Sequence, residues 1–326
     1  MKVKEFSNYH APRRYPWIPI MLVLLVVAVT VWIVRRPARV RDVQVADAPE
    51  MVVADPVPTQ ADRQQARPSR RQPAPQEVAA APIPGDISAL IAEAEALRSA
   101  DQLQAAREVY QRALGLATDA ATRARIEKPL GEIHIELLFS PRPMPEKEEY
   151  IIQRGDQLRL LARRFGTTVE LIQRSNNITN PNRIRIGDRL RIFRGDFEVV
   201  ANKTRRDMVV YLNGEFFKRY RVGTGEFGKT PVGTFVVRDK ITEPSWWPPD
   251  GREVPFGHPD NVLGTRWLSI EATGDTPRVR GYGIHGTWEP ESIGHEESAG
   301  CIRMLNEEVE EFYVYIPSGT PVRIEE

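Results

Sequence analysis

Residues 208–225 read MVVYLNGEFFKRYRVGTG, and this stretch decides the fold of the C-terminal part of the chain. Apolar and polar side chains alternate on both sides of Asn213-Gly214, which is the pattern of half-buried strands. Asparagine and glycine both tolerate positive φ, so the pair predicts a two-residue hairpin turn. Residues 197–326 are therefore predicted to be mainly β. Further strands and one helix are predicted at TPVGTFVV (230–237), RWLSIEA (266–272) and NEEVEEFYVYI (306–316).

The only cysteine of the chain, Cys301, lies in SAGCIRM (298–304), sixteen positions after His285 in GYGIHGT (281–287). A thiol becomes a strong nucleophile as thiolate, and a histidine nearby can take its proton and later protonate a leaving amine. Gly300 beside the thiol would let the backbone approach a substrate carbonyl, where N–H groups stabilise an oxyanion. This combination favours acyl transfer.

Two other interpretations fit isolated residues of this kind. A lone cysteine and a lone histidine are more often buried core residues than a catalytic pair. A zinc site could draw on Cys301, His285, His295 and His258, but these residues lack the close paired spacing of zinc ligands. His295 fits a solvated loop histidine better than a catalytic residue.

Residues 197–326 resemble the YkuD family, the L,D-transpeptidase catalytic domain, through GKTPVGTF, NVLGTRWLSI, GYGIHGT and SAGCIRM in that order. The resemblance implies that Cys301 is the nucleophile and His285 its base. It also implies that Ser298 and Gly300 shape the cysteine loop and the oxyanion site. Arg303 would support the loop or meet a substrate carboxylate. No metal or organic cofactor is implied.

The resemblance further implies a substrate and a reaction. The thiol would attack a peptidoglycan tetrapeptide stem at the bond to its terminal D-Ala, and the acyl group would pass to an amine of another stem or of a protein. Water as acceptor would make a carboxypeptidase or an amidase instead. Ala299 stands where many family members carry a second histidine, and it supports a third alternative, a non-enzymatic tether that binds the wall. Other thiol enzymes of the wall, the NlpC/P60 peptidases and the sortases, differ in the order or spacing of cysteine and histidine.

The sequence pattern of residues 148–194 differs from that of the preceding helical segment and predicts a strand, two short helices and a second strand. Asp156 is predicted to cap the first helix, and Gly166 to end it. The phrases YIIQRGDQL, LLARRFG and IGDRLRI resemble the LysM module. That resemblance implies binding of peptidoglycan glycan. The implied glycan-binding residues are Gly155, Asp156, Asn176 and Asn177.

The N-terminal part predicts a membrane anchor. Residues 17–34, WIPIMLVLLVVAVTVWIV, carry no charge over 18 residues, which as a helix would span about 27 Å. Arg35 and Arg36 follow where a cleaved signal peptide would have small residues, so an uncleaved single-pass anchor is favoured. Residues 1–16 would then be a cytoplasmic tail, with the catalytic part in the periplasm or cell wall space.

Two segments join the anchor to the LysM module. Residues 35–85 are rich in Pro, Ala and Arg and are predicted to form a disordered linker. Residues 86–140 show helical periodicity, which predicts a hairpin that acts as a spacer or contacts a protein partner. Pro129 is expected to kink or restart a third helix. The net charge of +1 offers no field for nucleic acid, so no nucleic acid partner is expected.

Overall fold

The structure is a computed structural model that describes residues 85–278 and 280–326. The predicted cytoplasmic tail (1–16), anchor (17–34) and nearly all of the predicted linker (35–85) lie outside the described residues. Within the described ranges, no helix combines the length and the apolar character needed to cross a membrane.

The helical segment consists of three helices: α1 (Gly85–Ser99), α2 (Leu103–Leu116) and α3 (Ala120–Phe139). Asp119 caps α3, because its carboxylate accepts the Thr122 backbone N–H at 2.8 Å. The helix continues through Pro129, so the expected restart at this residue is wrong. Buried side chains on both sides of the proline, among them Ile126 and Ile133, hold the helix against the rest of the protein.

The LysM segment has the predicted order of strand, two helices and strand. Gly166 ends the first helix in the left-handed conformation, with φ 65, and Thr168 caps the second by accepting the Leu171 N–H at 2.9 Å. The predicted cap at Asp156 is wrong. Its carboxylate instead accepts the Gln153 N–H at 2.7 Å, which closes the turn after the first strand. The four elements are β1 (Lys147–Ile151), α4 (Leu158–Phe165), α5 (Val169–Ser175) and β2 (Arg189–Phe193), with β1 antiparallel to β2.

The C-terminal segment is mainly β, as predicted, and its centre is an eight-stranded sheet with strand order β11-β9-β8-β7-β12-β3-β4-β5. Asn213 and Gly214 form the predicted hairpin turn between β4 and β5. A separate parallel pair joins β6 and β10. The elements are β3 (Phe197–Asn202), β4 (Asp207–Leu212), β5 (Glu215–Arg221), β6 (Thr224–Gly225), β7 (Gly233–Thr242), β8 (Arg266–Ala272), β9 (Gly283–His285), β10 (Glu296–Ser298), β11 (Ile302–Arg303), α6 (Asn306–Tyr315) and β12 (Pro321–Glu325).

The helical segment and the sheet share one hydrophobic core. The imidazole Nδ1 of His134 on α3 lies 2.7 Å from the Phe217 carbonyl oxygen on β5, and the two rings stack with centroids 5.0 Å apart. Nearby, the buried carboxylate of Glu127 pairs with Arg219 at 2.7 Å. Helix α3 is thereby fixed to β5 by packing, a hydrogen bond and an ion pair.

The LysM segment is fixed to both neighbours. The Thr168 hydroxyl donates to the Val314 carbonyl at the end of α6, and Leu171 belongs to the core shared with the sheet. The Lys147 ammonium donates to the carbonyls of Leu137 and Ser140, each at 2.6 Å, at the end of α3. The smaller core of the LysM segment lies between its own strands and helices.

Candidate active site

Two adjacent parallel strands position the predicted nucleophile and base. In the β9–β11 pair, Ile302 lies opposite Ile284 and Arg303 opposite His285. Cys301 directly precedes β11, and continuing the alternation of side chains between the two faces by one residue puts it on the same side as His285. Ile302 and Ile284 face the other way and are buried in the core. The sheet therefore brings together two residues that are sixteen positions apart in sequence.

His285 is held in a buried pocket by its backbone neighbour and by an aromatic ring. Its Nδ1 lies 2.6 Å from the Gly286 carbonyl oxygen. A carbonyl can only accept, so Nδ1 carries the proton and Nε2 is left with a lone pair. The Trp267 ring stacks on the imidazole with centroids 5.7 Å apart. This arrangement gives His285 a fixed orientation, with the proton assigned to Nδ1.

The surroundings keep His285 neutral. Burial lowers the pKa of its imidazole to about 3, and the positive charge of Arg303 acts in the same direction. The carbonyls of Gly286 and Leu263 oppose this shift by favouring the protonated ring. Burial prevails, so the imidazole is an unprotonated base at neutral pH.

The Cys301 thiol is only partly exposed, and it rests protonated. Its Sγ donates to the Gly281 carbonyl oxygen at 3.6 Å. Burial raises the pKa of the thiol to about 11, while the Gly283 backbone N–H and the Arg303 charge act to lower it. The resting pair is therefore a neutral thiol and a neutral imidazole, and proton transfer to His285 would have to accompany nucleophilic attack.

The loop that carries Cys301 is closed by Ser298 and requires glycine at position 300. The Ser298 hydroxyl donates to the Cys301 carbonyl at 2.7 Å and accepts the Gly300 N–H at 3.0 Å. Gly300 has φ 129, and a Cβ at this position would lie 2.4 Å from Cε1 of Tyr282. Both contacts shape the turn immediately before the thiol.

Arg303 is buried and pairs with a carboxylate of its own chain. Its Nη1 lies 3.2 Å from Oε2 of Glu289, and its side chain is 5% exposed. The backbone of Arg303 exchanges two hydrogen bonds of 2.9 Å with Gly223. These contacts correspond to the loop-supporting role among the two that the resemblance implied. The guanidinium also places a positive charge beside the thiol and the imidazole.

Three residues of this site were missed in the sequence: Trp267, Tyr282 and Glu289. Trp267 lies in a predicted strand, but its place over His285 follows from the β8–β9 register, in which the two residues are paired. Tyr282 adjoins the histidine motif and contacts Gly300. Glu289 carries no local sequence signal for its pairing with Arg303. These three residues could be found only by knowing which strands are neighbours, and the sequence alone does not give that.

The predicted glycan-binding residues of the LysM segment have separate surroundings. Asp156 bonds within its own turn and accepts the Tyr150 hydroxyl at 2.9 Å, next to Gly155. The Asn176 amide joins α5 to β2, because it donates to the Ile172 and Arg191 carbonyls and accepts the Arg191 N–H, each at 2.8 Å. Asn177 lines a cleft of about 510 Å³. Of the four, Asn177 is the one that faces this cleft.

Comparison with known proteins supports the resemblance. Residues 196–324 match the YkuD family, described as the L,D-transpeptidase catalytic domain, and residues 150–193 match the LysM domain. The putative L,D-transpeptidase YqjB of Bacillus subtilis is 40% identical over 131 residues, which are 40% of this chain and 72% of that protein. The putative L,D-transpeptidase YkuD of the same species is 28% identical over 181 residues, covering 54% of this chain and 97% of that protein.

A solved structure with a related description aligns less closely. L,D-transpeptidase 3 from Mycobacterium tuberculosis, in complex with a faropenem-derived adduct, aligns at TM-score 0.33 and 19% identity over 41% of this chain and 61% of that chain. The 40% identity with YqjB over 72% of that protein is what establishes the family. This chain belongs to the YkuD family of L,D-transpeptidases and carries a LysM domain before the catalytic domain.

Proposed function

We propose that this protein is a peptidoglycan L,D-transpeptidase in which Cys301 is the nucleophile and His285 the general base. The single observation that carries the proposal is the register of β9 and β11, in which Arg303 pairs with His285 and Cys301 faces the same side. The neutral, buried imidazole supports it, because a base must be unprotonated to accept the thiol proton. Membership in the family supports the reaction class.

In the acylation step, the Cys301 sulfur attacks the carbonyl carbon of the third stem residue while its proton passes to Nε2 of His285. The bond from that carbon to the nitrogen of the terminal D-Ala then breaks, and the imidazolium returns the proton to the leaving amine. The product is a thioester. In the second step an acceptor amine attacks the thioester, loses a proton to His285, and the thiol is restored as an amide bond forms. The acceptor is the amine of a neighbouring stem or of a wall-attached protein.

Two other parts of the chain would hold this chemistry at the wall. The LysM domain would hold a glycan strand of peptidoglycan, which raises the local concentration of stems around the thiol. Residues 17–34 would anchor the chain in the membrane, with residues 1–16 in the cytoplasm and the catalytic part in the periplasm or cell wall space. The site chemistry proposed here uses side chains alone, without a metal or organic cofactor.

The test is incubation of the full-length chain, purified in detergent, with disaccharide-tetrapeptide, followed by mass spectrometry. A cross-linked dimer that lacks one D-Ala is expected, and the Cys301→Ala variant should yield none. Disaccharide-tripeptide as the sole product would refute transfer in favour of hydrolysis. Unchanged substrate, combined with sedimentation of the protein with purified sacculi, would instead favour a wall-binding tether.

A further inference from the structure

The C-terminal segment contains two turns whose central residues both have positive φ. In the hairpin between β4 and β5 these are Asn213 and Gly214, with φ 50 and 83. In the second turn, from Glu226 to Lys229, they are Phe227 and Gly228, with φ 52 and 71. The Lys229 N–H donates to the Glu226 carbonyl at 3.0 Å, which closes the four-residue turn. Such turns strongly prefer asparagine and glycine, so phenylalanine stands where asparagine is expected.

Phenylalanine in this conformation is costly, because its Cβ crowds the backbone at positive φ. A buried ring could offset that cost by packing, but the Phe227 side chain is 89% exposed. No other large apolar side chain in residues 85–278 and 280–326 is as exposed. The folded protein therefore gains no stability from this ring. Residues held at unfavourable φ/ψ cluster at active sites and ligand-binding contacts, so the strain at Phe227 points to function.

The turn is built directly against the loop that carries the thiol. A Cβ at Gly225, just before the turn, would lie 2.7 Å from the Cα of Gly300, so the two backbones are in contact. At the other end, the Lys229 carbonyl oxygen would lie 3.1 Å from a Cβ at Gly300. Both ends of the turn thus rest on the residue that precedes Cys301. The turn that carries Phe227 is thereby joined to the thiol loop, and Phe227 lies two residues from each of these two contacts.

Further contacts fix the base of the turn. The Gly225 N–H donates to the Thr230 hydroxyl at 2.7 Å, the Lys229 ammonium lies 3.3 Å from the Glu226 carboxylate, and Lys203 donates to the Gly228 carbonyl at 3.5 Å. The backbone of the turn is therefore held by the fold, and a substrate would find the turn already in place.

We infer that Phe227 is a substrate-contacting residue that positions the stem peptide over Cys301, an inference that rests on the proposed function. The ring presents an apolar face to a peptide that carries the apolar methyl groups of its alanine residues. Burying the ring against these groups releases water from both surfaces. The residue determines how well the stem is held and leaves the reactivity of the thiol itself unchanged.

The test compares Phe227→Asn and Phe227→Tyr with the wild type in the full-length chain. Phe227→Asn keeps the turn with its preferred residue and removes the ring, so the melting temperature should stay the same or rise by about 2–4 °C. Its kcat/KM for disaccharide-tetrapeptide should fall by about tenfold or more, mainly through KM. Alkylation of Cys301 by iodoacetamide, a probe too small to need the ring, should keep its rate. Phe227→Tyr should retain the wild-type kcat/KM.

A matched control introduces the same strain far from the thiol. Asn213→Phe should lower the melting temperature and leave kcat/KM unchanged. Wild-type kcat/KM in Phe227→Asn would overturn the inference, and so would a parallel loss of the iodoacetamide rate, which would mean that the turn merely supports the thiol loop. A wild-type protein that consumes no stem peptide would refute the proposed function itself, and the inference with it.

Discussion

The protonation state of the thiol makes a direct prediction for its reactivity. Burial raises the pKa of Cys301 to about 11, so at pH 7 only about one molecule in 10⁴ carries a thiolate. Because the pKa is raised, thiolate accumulates only as pH rises toward that value. The rate of alkylation by iodoacetamide, followed by intact-protein mass spectrometry, should therefore increase about tenfold per pH unit between about pH 6 and pH 10.

The contrasting arrangement is a preformed pair of thiolate and imidazolium, as in thiol enzymes with a strongly depressed cysteine pKa. Such a pair would give a rate that is nearly constant between the two pKa values. Here the pKa of His285 is lowered to about 3, so no imidazolium is present to stabilise a thiolate. A plateau in the alkylation rate between about pH 7 and pH 9 would refute this reasoning.

The positive charge of Arg303 allows a second test in the same alkylation experiment. It lowers the pKa of the thiol, so Arg303→Met should raise that pKa further and slow alkylation at a fixed pH near about 9. Arg238→Met, at a surface residue that is 58% exposed, is the matched control and should leave the rate unchanged. Equal rates in all three proteins would show that the buried charge does not influence the thiol.

Three further predictions concern single residues. Gly300→Ala would place a methyl group 2.4 Å from Tyr282 and should lower D-Ala release by about 100-fold, whereas Gly319→Ala, with open space around it, should not. Asn176→Ala removes the hydrogen bonds that the side-chain amide makes between α5 and β2. It should lower the free energy of unfolding by about 1–3 kcal/mol in calorimetry. Burial lowers the pKa of His134 to about 4 from 6.5. The unfolded chain therefore binds a proton at this histidine that the folded chain does not bind, which contributes a loss of stability of about 3 kcal/mol from pH 6.5 to 4 in urea titrations. His134→Gln should remove this contribution and leave the separate one from His285, whose pKa is lowered to about 3.

Local sequence rules predicted the parts of the fold in which neighbouring residues decide the conformation. The Asn213-Gly214 turn and the end of α4 at Gly166 depend on the backbone conformation of one or two residues. The prediction that Asp156 caps α4 was wrong because its carboxylate accepts the Gln153 N–H instead of an N–H of that helix. The restart expected at Pro129 was wrong because tertiary packing outweighs one lost backbone hydrogen bond.

The candidate site shows the same difference between features set by local sequence and features set by tertiary packing. Cys301 and His285 could be chosen from residue type, uniqueness and the family motifs. The ring of Trp267 over His285 and the pairing of Glu289 with Arg303 could not, since both depend on which strands become neighbours. Local periodicity also predicted the helices of the N-terminal segment. It carried no information about the surface that they cover.

The contact between the three N-terminal helices and the sheet changes what counts as the smallest stable form of this protein. Similarity assigns the catalytic domain to residues 196–324, and a fragment cut at that boundary would seem complete. In the folded chain, however, His134 and Glu127 on α3 cover β5, and Lys147 closes the end of the same helix. A fragment without the three helices would expose the apolar side of β5 to water and leave Arg219 without its buried carboxylate. A fragment made for study should therefore begin no later than Gly85, even though the match to the catalytic domain begins more than a hundred residues further on.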